Sequence, residues 1–234
     1  MTIAIANREA GAAAGRTRVG RPSRVGVSAE TILDAARDAF AQVGYRRASL
    51  DAVATRLGVT RQALYHYFPS KHRILLTILV GYFDLLDAAL TQAAAAERRP
   101  AERFEAMLRR YFRVVAERPA DAVVMTREFA LLPKPEQRRI RERRRRVHDA
   151  FVREFEAAQA EGRFRPGEAS VLVSLLLGAA NWTPRWFRSE GSLTPERLGV
   201  FAQEFLGPAY RVAPAYRVKG GRAAAADRGR KAAG

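Results

Sequence analysis

The sequence predicts an all-α chain, an N-terminal three-helix helix-turn-helix unit followed by a larger helical domain. Three observations carry that prediction. Apolar residues recur at spacings of three and four through most of residues 28–210, the pattern of helices with one buried face. No stretch alternates apolar and polar residues as a half-buried strand does. Proline and glycine fall between the periodic stretches, where they interrupt helices.

From Ser28 to Val43, residues Ile32, Leu33, Ala36, Phe40 and Val43 form one apolar stripe. Ser28 is the expected N-cap, Glu30 favours the helix dipole, and Gly44 suits a left-handed stop. Ser49 can cap a second helix whose Leu50, Val53, Ala54 and Leu57 face inward. Gly58 then supplies a positive φ for a turn, and Thr60 caps a short third helix. In that helix Leu64 and Phe68 point to the core, and Tyr67 is expected there too. Arg61, Gln62, Tyr65 and His66 can donate to phosphates or base edges. Helix, helix, glycine turn and helix make the helix-turn-helix plan, and an apolar rear with a donor-rich front suits a DNA major groove.

The rest reads as helix throughout. One segment spans 70–97 with a wide apolar face from Ile74 to Leu90, and Pro100 separates it from 101–116. Pro119 opens a short helix to 131, which Pro133 and Pro135 end. A long helix over 136–161 breaks at Gly162, and helices over 167–188 and 195–210 follow. The expected organisation is a disordered basic arm (1–27), a DNA-binding unit (28–73), a helical domain (74–210) and a disordered basic tail (211–234).

Charge agrees with a polyanionic partner. The net charge of +17 includes +4 in residues 1–27, +3 in 28–73 and +6 in 211–234, so the excess gathers on the tails and the DNA-reading unit. Four lysines stand against 37 arginines, a bias that a GC-rich coding sequence also produces. Cysteine is absent, which excludes disulfides and thiolate metal sites. The longest apolar run, near 171–180, falls well short of the roughly 20 residues that span a bilayer. The N-terminus places its basic residues after an apolar patch, the wrong order for a signal peptide, so a cytoplasmic protein without membrane contact is expected. An enzyme fails on inventory, because His66, His72 and His148 lack any metal-ligand or nucleophile context.

Residues 28–75, with ILDAA, F-x-x-x-G-Y, SLDAVA, LGVT and ALYHYFPSK in order, resemble the N-terminal domain of the TetR/AcrR family of bacterial transcriptional regulators. His72-Arg73 departs from the more usual Glu-Ala-like pair. The resemblance implies that Thr60 anchors the recognition helix to a phosphate, and Lys71 and Ser49 clamp the backbone. Arg61 and Gln62 are the expected base readers, with Tyr65 and His66 on phosphate or a thymine methyl. Gly20-Arg21-Pro22 resembles an AT-hook core, which makes Arg21 and Arg24 candidates for minor-groove contact, against an inert basic linker.

The resemblance further implies a homodimer on double-stranded DNA, formed by helices 167–188 and 195–210 through Leu172, Leu175, Leu176, Ala179, Leu198, Phe201 and Phe205. It implies a repressor that a small effector releases from a palindromic operator, with no tightly held cofactor. The segment from Gly178 to Leu206 resembles a subgroup that responds to acyl-CoA thioesters, which calls for an apolar tunnel and basic residues for the CoA phosphates. Candidate lining residues are Phe104, Met107, Tyr111, Met125, Phe129, Asn181, Trp182 and Trp186, each with core packing as its ordinary alternative. Asn181 is expected to be buried and in need of a partner. The run Arg138–Arg146, seven arginines in nine positions, reads as a solvated face or a CoA-phosphate or DNA contact. A hydrophobic drug-like ligand and a non-specific architectural DNA-binding protein are the alternative readings.

Overall fold

Hydroxyl side chains start each of the first three helices. The computed structural model describes residues 27–188 and 190–212; Arg21 and Arg24 lie outside the described residues. Helix α1 (Ala29–Val43) is capped by Ser28, whose Oγ accepts from the Thr31 amide at 3.1 Å. In α2 (Leu50–Arg56), Ser49 accepts from the Asp51 amide at 3.1 Å. In α3 (Arg61–Tyr67), Thr60 accepts from the Ala63 amide at 3.2 Å. Each cap satisfies one amide that the first helical turn leaves without an acceptor. Gly58, at φ 66°, makes the turn between α2 and α3.

Ile32, Phe40, Val53, Leu64 and Phe68 form the core of this unit. Three expectations are corrected. Val43 ends the α1 stripe on the surface, 44% exposed, because the helix stops there and turns away. Gly44 has a positive φ of 85° but an extended ψ of 151°, so it is not a left-handed helical stop. Tyr67 is also exposed, because its hydroxyl reaches back to donate to the Val27 carbonyl.

Six further helices follow among the described residues: α4 (Lys71–Ala95), α5 (Pro100–Glu117), α6 (Pro119–Glu128), α7 (Lys134–Ala160), α8 (Ala169–Trp182) and α9 (Pro195–Tyr210). A 3-10 turn at 129–131 extends α6, and another at 183–185 follows α8. The helix expected over 167–188 is therefore shorter, since Pro184 cannot continue the hydrogen-bond ladder. Helix α4 starts in the DNA-reading unit and runs unbroken into the bundle, across the expected boundary at 73–74. By length and composition α4 could cross a bilayer, which corrects the placing of the longest apolar stretch at 171–180. Its apolar side, Ile74 to Leu90, is instead packed into the core.

Helix α5 is the axis of the bundle and packs on α4, α7 and α9. Its Phe104 meets Phe151, Phe155, Phe164 and Tyr210 with ring centroids 5.2–5.7 Å apart, all edge-on, contacts worth about 0.5–1.5 kcal/mol each beyond burial. Helix α9 lies so close to α5 that a Cβ on Gly199 would fall 2.5 Å from the Arg109 carbonyl oxygen. Arg211 and Val212, expected to begin the tail, belong to the folded body. Arg211 Nε donates to Glu105 at 2.6 Å, and the Val212 amide donates to the Arg163 carbonyl at 3.0 Å.

Candidate functional site

The exposed side of α2 and α3 brings Ser49, Thr60, Arg61, Gln62, Tyr65 and His66 onto one surface. Arg61 projects from the first turn of α3 with its side chain 54% exposed. One guanidinium nitrogen donates to Asp51 Oδ2 at 3.0 Å and another to the Tyr65 hydroxyl at 3.1 Å. Asp51, on α2, escaped the sequence reading, because only the α2–α3 packing brings it to Arg61. The two contacts hold the guanidinium in one orientation on the exposed side of α3.

Lys71 is placed differently from the rest. Its ammonium donates to the Arg46 carbonyl at 3.3 Å and lies 4.7 Å from the centre of the Tyr45 ring. Desolvation lowers its pKa, opposed by Glu128. In this arrangement Lys71 pins the turn between α1 and α2, and Arg46 and Arg47 are the exposed cations of that turn.

A second site lies in the bundle. An open cleft of about 800 Å³ is walled by α4, α5, α6, α7 and α8. Helix α6 with its 3-10 extension contributes Ala122, Met125, Thr126 and Phe129, α7 contributes Arg141, Arg144, Arg145 and His148 with Val147 beside them, and α8 contributes Ser174, Leu177, Gly178 and Asn181. Each set has the spacing i, i+3, i+4, i+7, one helical face. Tyr82 and Phe83 of α4 and Tyr111 of α5 complete the wall. The result is an apolar cavity with arginines at its mouth, the form expected of a site for an amphipathic anion.

Of the eight candidate lining residues, Tyr111, Met125, Phe129 and Asn181 line this cleft. Phe104 and Met107 do not; they are buried in the core, Phe104 within the aromatic cluster. Trp182 and Trp186 do not either, and lie 58% and 51% exposed on the outside of the bundle. Asn181 is exposed rather than buried, and its Oδ1 accepts from the Tyr111 hydroxyl at 2.9 Å. Burial pushes the Tyr111 phenol up to about 12, with the Asn181 hydrogen bond and Arg144 opposing. The arginine run is neither wholly solvated nor wholly functional. Its 141, 144, 145 register faces the cleft, while Arg143 pairs with Asp84 of α4. Reading that register at helical spacing, with His148 one step on, was the signal available for these residues.

The two sites share α6. Beside its cleft face, α6 buries Asp121, which accepts from Arg37 Nε of α1 at 2.7 Å. Burial raises the Asp121 carboxyl above the usual range, and Arg37 offsets this only in part. Arg127 donates to the Ala41 carbonyl at 2.8 Å, and Glu128 accepts from the Tyr45 amide at 3.2 Å. Gly44 is favoured here by its positive φ of 85°, and a Cβ would in addition come 3.0 Å from the Arg127 guanidinium.

Residues 32–78 match the family described as bacterial regulatory proteins, tetR family, and residues 97–206 match the tetracyclin repressor-like C-terminal domain. The chain belongs to the TetR family. It is 27% identical over 170 residues to the HTH-type transcriptional repressor KstR2 of Mycobacterium tuberculosis, covering 72% of this chain and 85% of that one. The solved structure of the ketosteroid transcriptional regulator KstR2 of M. tuberculosis shares the fold, with a TM-score of 0.74 at 23% identity over 80% of this chain and 97% of that one. AibR, solved in complex with isovaleryl coenzyme A and operator DNA, gives a TM-score of 0.69 at 25% identity over 76% of this chain and 97% of its own. This TetR-family chain is a DNA-binding transcriptional regulator, with an N-terminal helix-turn-helix and a helical C-terminal domain.

Proposed function

We propose that this TetR-family regulator acts as a homodimeric repressor, released from a palindromic operator when an acyl-CoA thioester fills the cleft. The observation that carries the reading is the cleft itself. Its apolar wall of Phe83, Met125, Phe129 and Leu177 suits an acyl group, and Arg141, Arg144 and Arg145 at its mouth suit the phosphates of CoA. The complex of AibR with isovaleryl coenzyme A and operator DNA supports the same ligand class. DNA as target places the action in the cytoplasm.

For the dimer, the support is an apolar surface on the last two helices. Leu175 of α8 is 67% exposed, and Phe201 and Phe205 of α9 are 58% and 71% exposed with their rings stacked 5.9 Å apart. Val171 and Trp182 of α8 and Val200 of α9 are exposed as well, and large exposed apolar surface of this kind marks an interface. Leu176 and Leu198 belong instead to the core, and Leu172 is half-buried. Two copies would present two α3 helices to successive major grooves.

Release follows from α6. A ligand against Met125 and Phe129 loads one face of a helix whose adjoining face holds Arg37, Ala41 and Tyr45 of the DNA-reading unit. Ligand then favours whichever arrangement of that unit it binds better. The test is binding of the purified full chain to the DNA upstream of its own gene, with and without a panel of acyl-CoA thioesters. Retention on a palindromic segment and release by one ester supports the reading. Specific binding that no CoA ester alters overturns the ligand class, and binding no tighter than to random DNA overturns operator recognition.

A further inference from the structure

We propose that the ligand carries an oxygen function, a ketone or hydroxyl, at the end it buries, and that the Tyr82 hydroxyl recognises it. The inference rests on the cleft being the effector site and goes further, by naming chemistry at the buried end.

Tyr82 stands on α4 in the cleft wall with 5% of its surface exposed. Its hydroxyl is buried and has no hydrogen-bond partner among the described residues. The contrast with Tyr111 is informative. Both phenols line the same cleft and lie close enough to interact electrostatically, yet Tyr111 donates to Asn181 while Tyr82 donates to nothing. A buried tyrosine hydroxyl ordinarily finds a partner, because an unpaired one loses its hydration without compensation. Phenylalanine would fill the same apolar wall without that cost, as Phe83 does next to it.

The hydroxyl is already closed off in the ligand-free chain; a plain hydrocarbon chain lying over Tyr82 would leave it unpaired, whereas a carbonyl or hydroxyl oxygen brought against it would complete it. Sites built around such a group discriminate strongly against the analogue that lacks it. The position also suits signalling. Asp121 acts electrostatically on Tyr82, and Asp121 holds Arg37 of α1. A ligand oxygen bound at Tyr82 therefore sits beside the contact that joins α6 to the DNA-reading unit.

The experiment is calorimetric binding of straight-chain acyl-CoA esters of roughly six to twelve carbons, each against its counterpart with a ketone or hydroxyl one carbon from the chain end. Both the full-chain protein and Tyr82→Phe are titrated, and the ligand-free melting temperature of each is recorded. At one chain length the oxygenated ester should bind the wild type about tenfold or more tighter than its parent. In Tyr82→Phe that gain should fall to about twofold or less, with parent esters bound at least as well as by wild type. Ligand-free Tyr82→Phe should melt no lower than wild type. The proposal is overturned if oxygen brings no gain at any length while the parents bind, if the gain survives in Tyr82→Phe, or if the variant melts lower. Failure of every CoA ester to bind, oxygenated or not, overturns the ligand class and this inference with it.

Discussion

Replacing Asp121 with asparagine keeps the shape of the side chain and removes the charge that holds α1 to α6. The carboxylate is 5% exposed and the Arg37 side chain 16%, with 2.7 Å between donor and acceptor. Removing one partner of a fully buried pair costs about 3–5 kcal/mol, because the other charge is left uncompensated. Two features lower that here. Arg37 also pairs with Asp34, and burial already penalises the ionised Asp121. The expected loss is that of one hydrogen bond to a charged group, about 1.5–3 kcal/mol, read as a lower urea midpoint at unchanged slope. The sign of the pH dependence follows from the raised pKa. The pH-dependent part of the Asp121 contribution is complete below the unfolded value of about 3.9 and is lost as pH rises through the higher folded value, while the bond to Arg37 persists. The stability gap between wild type and Asp121→Asn should therefore narrow as pH rises through the acid range. Asp121→Asn should also weaken the effect of ligand on DNA affinity while both separate affinities survive. A stability change under about 0.5 kcal/mol, the range of ordinary surface substitutions, together with undiminished ligand response would show that the contact does not join the two domains.

Arg61→Ala should weaken operator binding about 5- to 150-fold and relax preference at one base pair per half-site; equal weakening on all sequences, measured by gel shift, would assign Arg61 to phosphate. Lys71→Ala should lower the thermal midpoint by freeing the turn that carries Arg46 and Arg47, with the salt slope of DNA binding reduced by less than the roughly one unit of a direct phosphate contact. Phe201→Glu should yield a monomer by light scattering with helicity retained by circular dichroism, and a persisting dimer would move the interface elsewhere. Above pH 10 stability should fall, because unfolded tyrosines ionise while Tyr111, with a folded pKa of about 12, stays neutral. That phenol alone accounts for a loss of about 2.3 kcal/mol by pH 12, and its ionisation at 295 nm should coincide with unfolding.

The DNA-reading unit was legible in the sequence because its determinants are local. Ser28, Ser49 and Thr60 act on amides two or three residues away, and Gly58 acts on its own φ. The same logic gave α9 as 195–210, since Thr194 and Pro195 mark its start. It failed where distant segments decide. Nothing near Tyr67 announces Val27, and nothing near Asn181 says that its helix face opens on a cleft rather than the core. The two tryptophans are apolar by type, but burial depends on which side of α8 the bundle covers. Phe104 and Tyr111 lie two turns apart on the same side of one helix, yet that step of about 10.5 Å along the axis leaves one against Phe155 and the other at the cleft. The arginine run was ambiguous because it surrounds the whole helix, and only packing chooses the 141, 144, 145 register.

Helix α4, unbroken over 25 residues, is about 37 Å long at 1.5 Å per residue. Its two ends therefore move in proportion, one within the DNA-reading unit and the other in the bundle. Tyr82 and Phe83 stand near the midpoint. A tilt of about 5° about the far end swings the Lys71 end by about 3 Å, which is the length of a hydrogen bond. Two such arms in a dimer would alter the span between recognition helices by up to about twice that, against half-sites about 34 Å apart. Under the proposed mechanism, small rearrangements at the cleft would be magnified at the DNA with no need for any helix to melt.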